Sequence, residues 1–168
     1  MMNFLTSVEQ SGFCTWVRQS TSLFAFPGIL LLHTIGMGLV VGINAGIDLR
    51  VLGIAPAVPL GSLEKFFPVF WIGFWVNAIT GTILLAADAS AKLALPDFYV
   101  KMIFITAALI SFRMQQQGLY RGVPADKRPL TTSDKVLALT SLFFWIGAIT
   151  AGRLMAYLGP AGGPDAVK

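Results

Sequence analysis

Long apolar runs separated by polar segments divide the chain into four predicted membrane-spanning helices. The runs cover about residues 22–50, 66–87, 96–114 and 136–158. Each run approaches or exceeds the length of about 20 residues that an α-helix needs to cross a bilayer. Because short connections join most of them, we expect successive helices to run in opposite directions. The pattern therefore predicts an all-α integral membrane protein whose four transmembrane helices form an antiparallel bundle.

The segments outside these runs are too polar to span a membrane. Residues 1–21 mix apolar and polar side chains, which predicts one interfacial amphipathic helix on the membrane surface with Trp16 at the interface. Thr131 and Asp134 resemble a capping box at the start of the fourth helix. The last residues contain no pattern that could form a core. The expected organisation is an N-terminal helix (1–21), a transmembrane domain (22–158) and a disordered tail (159–168).

The composition agrees with a membrane protein. Charged residues make up 12% of the chain and hydrophobic residues 55%, whereas soluble domains carry about 25% charged residues. The net charge of +4 reflects basic residues concentrated in the predicted loops 50–65 and 113–135, the second being the longest. By the positive-inside rule these loops face the cytoplasm and both termini lie on the outer side. This distribution explains the positive charge, and we expect no binding of nucleic acid.

Small residues recur at four-residue spacing on three of the predicted helices. The glycines concerned are Gly38, Gly42 and Gly46 on the first helix, Gly73 and Gly81 on the second, and Gly147 on the fourth. Small residues at this spacing let two helix backbones approach closely in lipid, where packing drives association. We therefore predict close helix packing at these positions, either within the bundle or between protomers.

Seven polar side chains within or next to the predicted spans are candidates for function, because such residues are costly in lipid and often functional. They are His33, Asn44, Asp48, Asn77, Asp88, Lys101 and Arg153. On a helical wheel the first three lie on the face of the first helix opposite its glycines. Asp88 and Lys101 flank one short connection, so we predict an interfacial ion pair between them, with Arg153 extending towards the outer surface. The alternative for these three residues is an outward-facing anion or substrate site.

His33 is the candidate cofactor-binding residue because it lies near the middle of the first span. A neutral imidazole there could ligate the iron of haem b, relay a proton or bind a quinone carbonyl. It could equally be a structural histidine, hydrogen-bonded to a threonine or asparagine of a neighbouring helix. The chain has a single histidine. A haem would therefore need a methionine such as Met102, an open coordination position or a ligand from a partner subunit.

The sequence leaves three hypotheses for function open. It contains no paired carboxylates, nucleophile with a base, phosphate-binding loop or metal-ligand cluster, so an enzyme is poorly supported. The first hypothesis is a non-catalytic membrane protein that forms a homo-oligomer or serves as an accessory subunit of a larger membrane complex. The second is an electron-transfer subunit that uses His33 to bind haem b or a quinone. The third is a proton-coupled or solute transporter with a polar path along His33, Asn44, Asn77 and Asp88.

Three segments of the chain resemble an uncharacterised family of small bacterial four-helix inner-membrane proteins, a domain of unknown function. They are LLHTIGMGLVVGINAGIDLRVLGI (31–54), TGTILLAADA (80–89) and PDFYVKM (96–102). The resemblance depends on His33, on the DLRxLG pattern that starts at Asp48 and on the FxxKM pattern that ends at Met102. In that family a second histidine often ends the third helix, where this chain has Arg113. The resemblance implies a four-helix fold in the bacterial inner membrane and no established activity.

Overall fold

The structure, a computed structural model, describes residues 2–120 and 125–158 of the 168 residues. Within these ranges the chain is helical and contains no strand, which confirms the all-α class. In chain order the helices are α1 (Met2–Glu9), α2 (Gly12–Gln19), α3 (Phe26–Val51), α4 (Leu60–Leu63), α5 (Phe67–Ala86), α6 (Ala89–Leu93), α7 (Pro96–Tyr120) and α8 (Thr132–Leu158). Two 3₁₀ turns lie at Glu64–Phe66 and Ala125–Lys127. The predicted disordered tail, residues 159–168, lies outside the described residues.

Three of the described helical segments are long and apolar enough to cross a membrane: Phe26–Val51, Leu60–Ala86 and Thr132–Met155. Large apolar side chains cover their outward surfaces. Leu31, Ile72 and Ile146, one from each segment, are 60%, 61% and 64% exposed. Soluble proteins rarely expose apolar surface on this scale. The structure thus supports a membrane protein with spanning helices at three of the four predicted positions.

Helix α7 is the exception among the four predicted spans. Its 25 residues are enough to cross a bilayer, but it is more polar than the others because Lys101, Arg113 and three glutamines lie within it. It also continues to Tyr120, whereas the sequence predicted a loop from residue 113. Gln115 explains the difference, since its side chain is buried against α3 and keeps this part of the chain helical.

The start of α3 also differs from the prediction. The helix begins at Phe26 rather than at residue 22, because residues 23–25 form a turn. Pro27 then lies in the first helical turn, where its missing N–H is not needed for a hydrogen bond. Proline therefore marks the beginning of this helix and does not bend its interior.

The predicted capping box at the start of α8 is confirmed. The Oγ1 atom of Thr131 accepts the backbone N–H of Asp134 at 3.3 Å, and Asp134 Oδ2 accepts the N–H of Thr131 at 2.8 Å. These reciprocal bonds satisfy N–H groups that have no partner inside the helix. They fix Thr132 as the first residue of α8.

The N-terminal segment folds as two helices, whereas the sequence predicted one. Ser11 separates them, and its Oγ accepts the N–H of Cys14 at 3.4 Å as the cap of α2. Arg18 donates to the backbone oxygen of Glu9 at 3.0 Å and so joins the two helices. The Glu9 carboxylate accepts the N–H of Ser90 at 2.5 Å, which holds α1 against α6.

Helices α3 and α5 form one extensively packed pair and α7 and α8 form another, while α3 also contacts α8. The main core lies between these pairs, where the buried rings of Phe70 and Phe112 stack with centroids 3.8 Å apart. A smaller cluster of Val17, Ile29 and Leu84 packs α2 across the ends of α3 and α5. Helix α3 therefore packs against α5 and α8 and is hydrogen-bonded to α7.

Candidate functional site

Asp48 lies on the inward face of α3 and is completely buried, with 0% of its surface exposed. Its carboxylate accepts hydrogen bonds from two amides. Asn44 Nδ2, one turn earlier on α3, donates to Oδ2 at 2.5 Å, and Gln115 Nε2 of α7 donates to Oδ1 at 2.5 Å. Asn44 Nδ2 also donates to Ser141 Oγ of α8 at 2.7 Å. This Asp48 cluster, formed by these four residues, connects three helices.

Helical periodicity brings the members of the Asp48 cluster together. Asn44 and Asp48 are four residues apart, and residues at this spacing share a face of a helix. Gln115 and Ser141 belong to the buried faces of α7 and α8. Those faces contain Ala108, Phe112, Gln115 and Leu119 on α7, and Ala138, Ser141, Trp145 and Ala148 on α8.

No basic side chain among the described residues forms an ion pair with Asp48. Arg50, two residues further along, donates to the backbone oxygen of Val58 at 2.5 Å. The guanidinium of Arg113 lies 4.2 Å from the ring centroid of Trp71. An isolated carboxylate is very unfavourable in a buried apolar environment. The site therefore has the charge to take up one proton or one small cation.

Two amide oxygens of the Asp48 cluster are buried without a hydrogen-bond partner in the described structure. They are Asn44 Oδ1 and Gln115 Oε1. Buried polar atoms are nearly always hydrogen-bonded, so an unpaired one indicates an additional partner or an alternative arrangement of the side chain. An amide can supply such an arrangement by turning over, which exchanges its oxygen with its nitrogen.

His33 forms a second polar cluster with α5. Its Nδ1 lies 3.0 Å from the backbone oxygen of Asn77 and 3.1 Å from Thr80 Oγ1, and Asn77 Nδ2 donates to the backbone oxygen of His33 at 2.8 Å. The Thr80 hydroxyl itself donates to Val76 at 2.6 Å. Nδ1 therefore carries the hydrogen, which leaves the lone pair on Nε2. The half-buried ring matches the structural alternative, a histidine hydrogen-bonded to a neighbouring helix.

Helices α3 and α5 approach each other closely at Gly36, a position that the sequence did not indicate. A Cβ atom added to Gly36 would lie 2.8 Å from the oxygen of Gly73 and 2.9 Å from the nitrogen of Asn77. Gly73 thus packs as predicted, and Gly81 does too, because its added Cβ would lie 2.9 Å from His33 Cε1. Gly147 also lies in close packing, because a Cβ added there would lie 2.7 Å from Phe104 Cε1.

The ladder of Gly38, Gly42 and Gly46 lies on the exposed surface of α3. No described atom outside this helix lies within 4 Å of a Cβ added at any of the three positions. The structure therefore removes packing within the bundle as an explanation of these glycines. Packing between protomers is the alternative that stays a prediction.

The predicted ion pair between Asp88 and Lys101 is wrong. The one ion pair among the described residues joins Arg128 and Asp134 at 3.1 Å. The Lys101 chain instead packs along α8, where a Cβ on Gly152 would lie 3.6 Å from Cε. A long flexible side chain can reach the neighbouring helix in this way without an acidic partner.

Asp88 acts on Lys92 instead. Burial lowers the pKa of the Lys92 ammonium below its ordinary value, and the nearby Asp88 carboxylate opposes that change. Lys92 donates to the backbone oxygen of Leu84 at 2.5 Å. Arg153, the third residue of the predicted outward-facing group, is exposed.

Two depressions on the described surface belong to neither polar cluster. One, of about 320 Å³, lies between Trp71 and Arg113, and the other, of about 300 Å³, lies beside Trp75. Neither is lined by His33 or Asp48. The residues of the predicted polar path also do not form one continuous path. His33 and Asn77 belong to the His33 cluster and Asn44 to the Asp48 cluster, and no described chain of hydrogen bonds connects the two clusters.

Comparison with known proteins adds no family or function. The chain matches no protein-family model, no curated protein and no solved structure. What the fold defines is a helical protein with membrane-spanning helices. Any more particular identification depends on the chemistry of the two polar clusters.

Proposed function

We propose that this chain is a small ion-coupled transporter of the bacterial inner membrane and that Asp48 binds the ion. The observation that carries the proposal is the fully buried Asp48 carboxyl, which lies among neutral side chains of three helices with no ion-pair partner in the described structure. Ionisable groups inside a membrane are costly, and they typically mark ion pathways and proton relays. A purely structural contact between helices would not need a carboxyl group.

The proposal includes four antiparallel spans, α3, α5, α7 and α8. Residues early in α3 contact residues late in α5, as the bond from His33 to Thr80 illustrates. Residues early in α7 contact residues late in α8, as Phe104 and Gly147 do. Helix α7 is long enough to span, and the polar groups that lower its hydropathy include Gln115, which is buried in protein. The basic loops after α3 and α7 support cytoplasmic loops and outer termini.

Ion flux across reconstituted liposomes tests this function. The purified protein is placed in liposomes that contain a pH-sensitive dye, and a potassium gradient with valinomycin imposes a membrane potential. We expect the wild-type protein to carry protons or to exchange a cation for them, and Asp48→Asn to reduce the flux to that of protein-free liposomes. Asparagine has nearly the shape of aspartate but cannot release a proton.

Asp88→Asn is the matched control, because it makes the same chemical change at the end of α5 and outside the Asp48 cluster. This variant should retain wild-type flux. Equal flux in Asp48→Asn and wild type would overturn the proposed role of Asp48. An equal loss of flux in the two variants would show that any change of net charge has this effect. That result would also remove the support for Asp48 as the ion-binding residue.

The outward-facing glycines favour a second candidate, a homo-oligomer or an accessory subunit of a larger complex. Gly38, Gly42 and Gly46 leave a smooth strip on α3 that nothing in the described chain covers. Gly42→Leu should then shift the oligomer seen by native mass spectrometry in detergent towards the monomer. Thr82→Leu, a change at an exposed position of α5, should not. A monomeric wild-type protein would exclude the homo-oligomer, and co-purification with other membrane proteins tests the accessory subunit.

A further inference from the structure

The hydrogen-bond donors and acceptors of the Asp48 cluster distinguish between the ions that it could bind. We infer that the ion is a proton and that the amide of Asn44 turns over when Asp48 takes it up. This inference, which rests on the proposed function, names the transported ion and assigns Asn44 a positioning role. The amide oxygen of Asn44, which is buried without a partner in the described arrangement, is the acceptor that this turn brings to the protonated carboxyl group.

In the described arrangement, the groups that face the Asp48 oxygens are hydrogen-bond donors. Asn44 Nδ2 and Gln115 Nε2 donate to the carboxylate, and Asn44 Nδ2 also donates to Ser141 Oγ. In proteins a metal ion such as Ca²⁺ is held by oxygen atoms, and an N–H group cannot serve as such a ligand. The arrangement around Asp48 therefore favours a proton over a metal ion.

The same residues can hydrogen-bond to the Asp48 carboxyl group in both of its protonation states. The ionised carboxylate accepts one N–H from Asn44 and one from Gln115, as described above. When a proton binds to Oδ2, that oxygen becomes a donor and can no longer face an N–H group. If the Asn44 amide turns by 180°, its Oδ1 accepts the new O–H bond. Ser141 then donates its hydroxyl to the same Oδ1, while Gln115 continues to donate to Asp48 Oδ1.

Asn44, rather than Gln115, is the amide that fits this exchange. Asn44 has a neighbour, Ser141, whose hydroxyl can donate or accept and can therefore reverse together with the amide. Gln115 has no such second partner among the described hydrogen bonds. One proton is taken from water on one side of the membrane and released to water on the other, and no other bond is made or broken.

No other charged group touches the cluster in the described structure. The side chains that act on Asp48 are Gln115, Ser141 and Asn44, all of them neutral. Helix α5 carries no charged residue. The remaining charged or titratable side chains of the three helices that form the cluster are His33 and Arg50 on α3, Asp97, Tyr99, Lys101, Arg113 and Tyr120 on α7, and Asp134, Lys135, Arg153 and Tyr157 on α8.

Infrared difference spectroscopy can observe the proton directly. Protein labelled with carboxyl-¹³C aspartate, in liposomes, is compared at two pH values, and the carbonyl band of a carboxylic acid is distinguished from that of a carboxylate. We expect an acid band from a buried aspartate that disappears as the pH is raised. Asp48→Glu, which keeps the carboxyl group but removes the label, should abolish this band. Asp88→Glu should leave it unchanged.

Solid-state NMR of the side-chain amides tests the turning of Asn44. The chain has three asparagines, so the signal of Asn44 can be assigned by substitution. Its side-chain ¹⁵N shift should move over the same pH range as the infrared band, whereas that of Asn77 should not. In Ser141→Ala the band should shift in frequency and the amide should lose its coupled movement. A role limited to packing would produce neither change.

Replacing potassium by sodium tests whether Asp48 binds a proton or a sodium ion. Replacing potassium by sodium at constant ionic strength should leave the acid band and the amide shift unchanged. An Asp48 that stays ionised throughout, or one whose spectrum responds to sodium, would overturn the inference. Flux that requires sodium and is lost in Asp48→Asn would preserve the proposed transporter while refuting the proton. An Asp48 that titrates in a protein without any ion flux would preserve the binding of a proton while refuting the proposed transporter.

Discussion

Adding a single methyl group at Gly36 tests how closely α3 and α5 approach. In Gly36→Ala the new Cβ would lie 2.8 Å from the oxygen of Gly73, whereas ordinary contacts begin at 3.4 Å. The two backbones must therefore separate by about 0.6 Å, a gap that already removes a quarter to a half of the dispersion energy of the atoms affected. Overpacking of this kind typically costs about 1–3 kcal/mol. The 2.8 Å bond from Asn77 to His33 crosses the same gap, and its loss would add about 0.6 kcal/mol.

Gly42→Ala is the matched control for this experiment. It makes the same substitution on the same helix, at a position with nothing within 4 Å of the added Cβ. Because both variants gain the same helix propensity, the difference between them isolates the steric effect. Reversible unfolding in mixed detergent micelles, followed by circular dichroism, should show Gly36→Ala to be less stable than Gly42→Ala by about 1–3 kcal/mol. Equal stability would refute the close contact between the two backbones.

Three further predictions concern the N-terminal helices, the topology and His33. The N–H of Ser90 holds the pKa of the Glu9 carboxyl below its ordinary value, so this contact stabilises the fold at neutral pH and is lost as the pH falls through that lowered pKa. The hydrogen-exchange protection factor of the Ser90 amide should therefore drop only in acid. In Glu9→Ala the protection factor should be low at every pH. For the topology, single cysteines are introduced in a background without the native cysteine. Thr21→Cys should react with an impermeant maleimide added outside, and Lys127→Cys should react only after the membrane is opened. The reverse pattern would overturn the topology. We expect the purified protein to show no Soret or α band in either redox state, because the His33 ring is hydrogen-bonded to α5 and packs closely against Gly81. Bands that vanish in His33→Ala would establish a b-type haem instead.

The apolar runs predicted the long helices because hydropathy over about 20 residues is a property of the sequence alone. The helix ends were harder to predict because local competition decides them. The turn at residues 23–25 moved the start of α3 to Phe26, and the burial of Gln115 extended α7 beyond residue 114. In the second case a tertiary contact determined the secondary structure, and hydropathy does not report such contacts.

For the polar clusters, the sequence indicated the residues on α3 but not all of their partners. Asn44, Asp48, Asn77 and His33 were candidates because polar groups are rare in a span. Ser141 was not, because a small hydroxyl is common in membrane helices and only the rotation of α8 brings it inward.

The glycine ladder shows the same limit of sequence reasoning. Four-residue spacing identifies a smooth helix face at Gly38, Gly42 and Gly46 but does not indicate what covers it. The contact within the bundle forms at Gly36, which shares its face with His33 and so faces α5.

The Gly36 contact and the Asp48 cluster connect α3 to its neighbours by different physical means, and this difference bears on how an ion-coupled movement would occur. At Gly36 the helix meets α5 through backbone atoms, a contact that cannot change without separating the pair. At Asp48 it meets α7 and α8 through side-chain hydrogen bonds. We inferred above that the pattern of these bonds depends on one proton. The Asp48 cluster thus connects the extensively packed pairs α3/α5 and α7/α8, and under that inference its hydrogen bonds rearrange on protonation. If a movement accompanies the uptake of a proton, we expect it to occur between these pairs, with the Gly36 contact preserved.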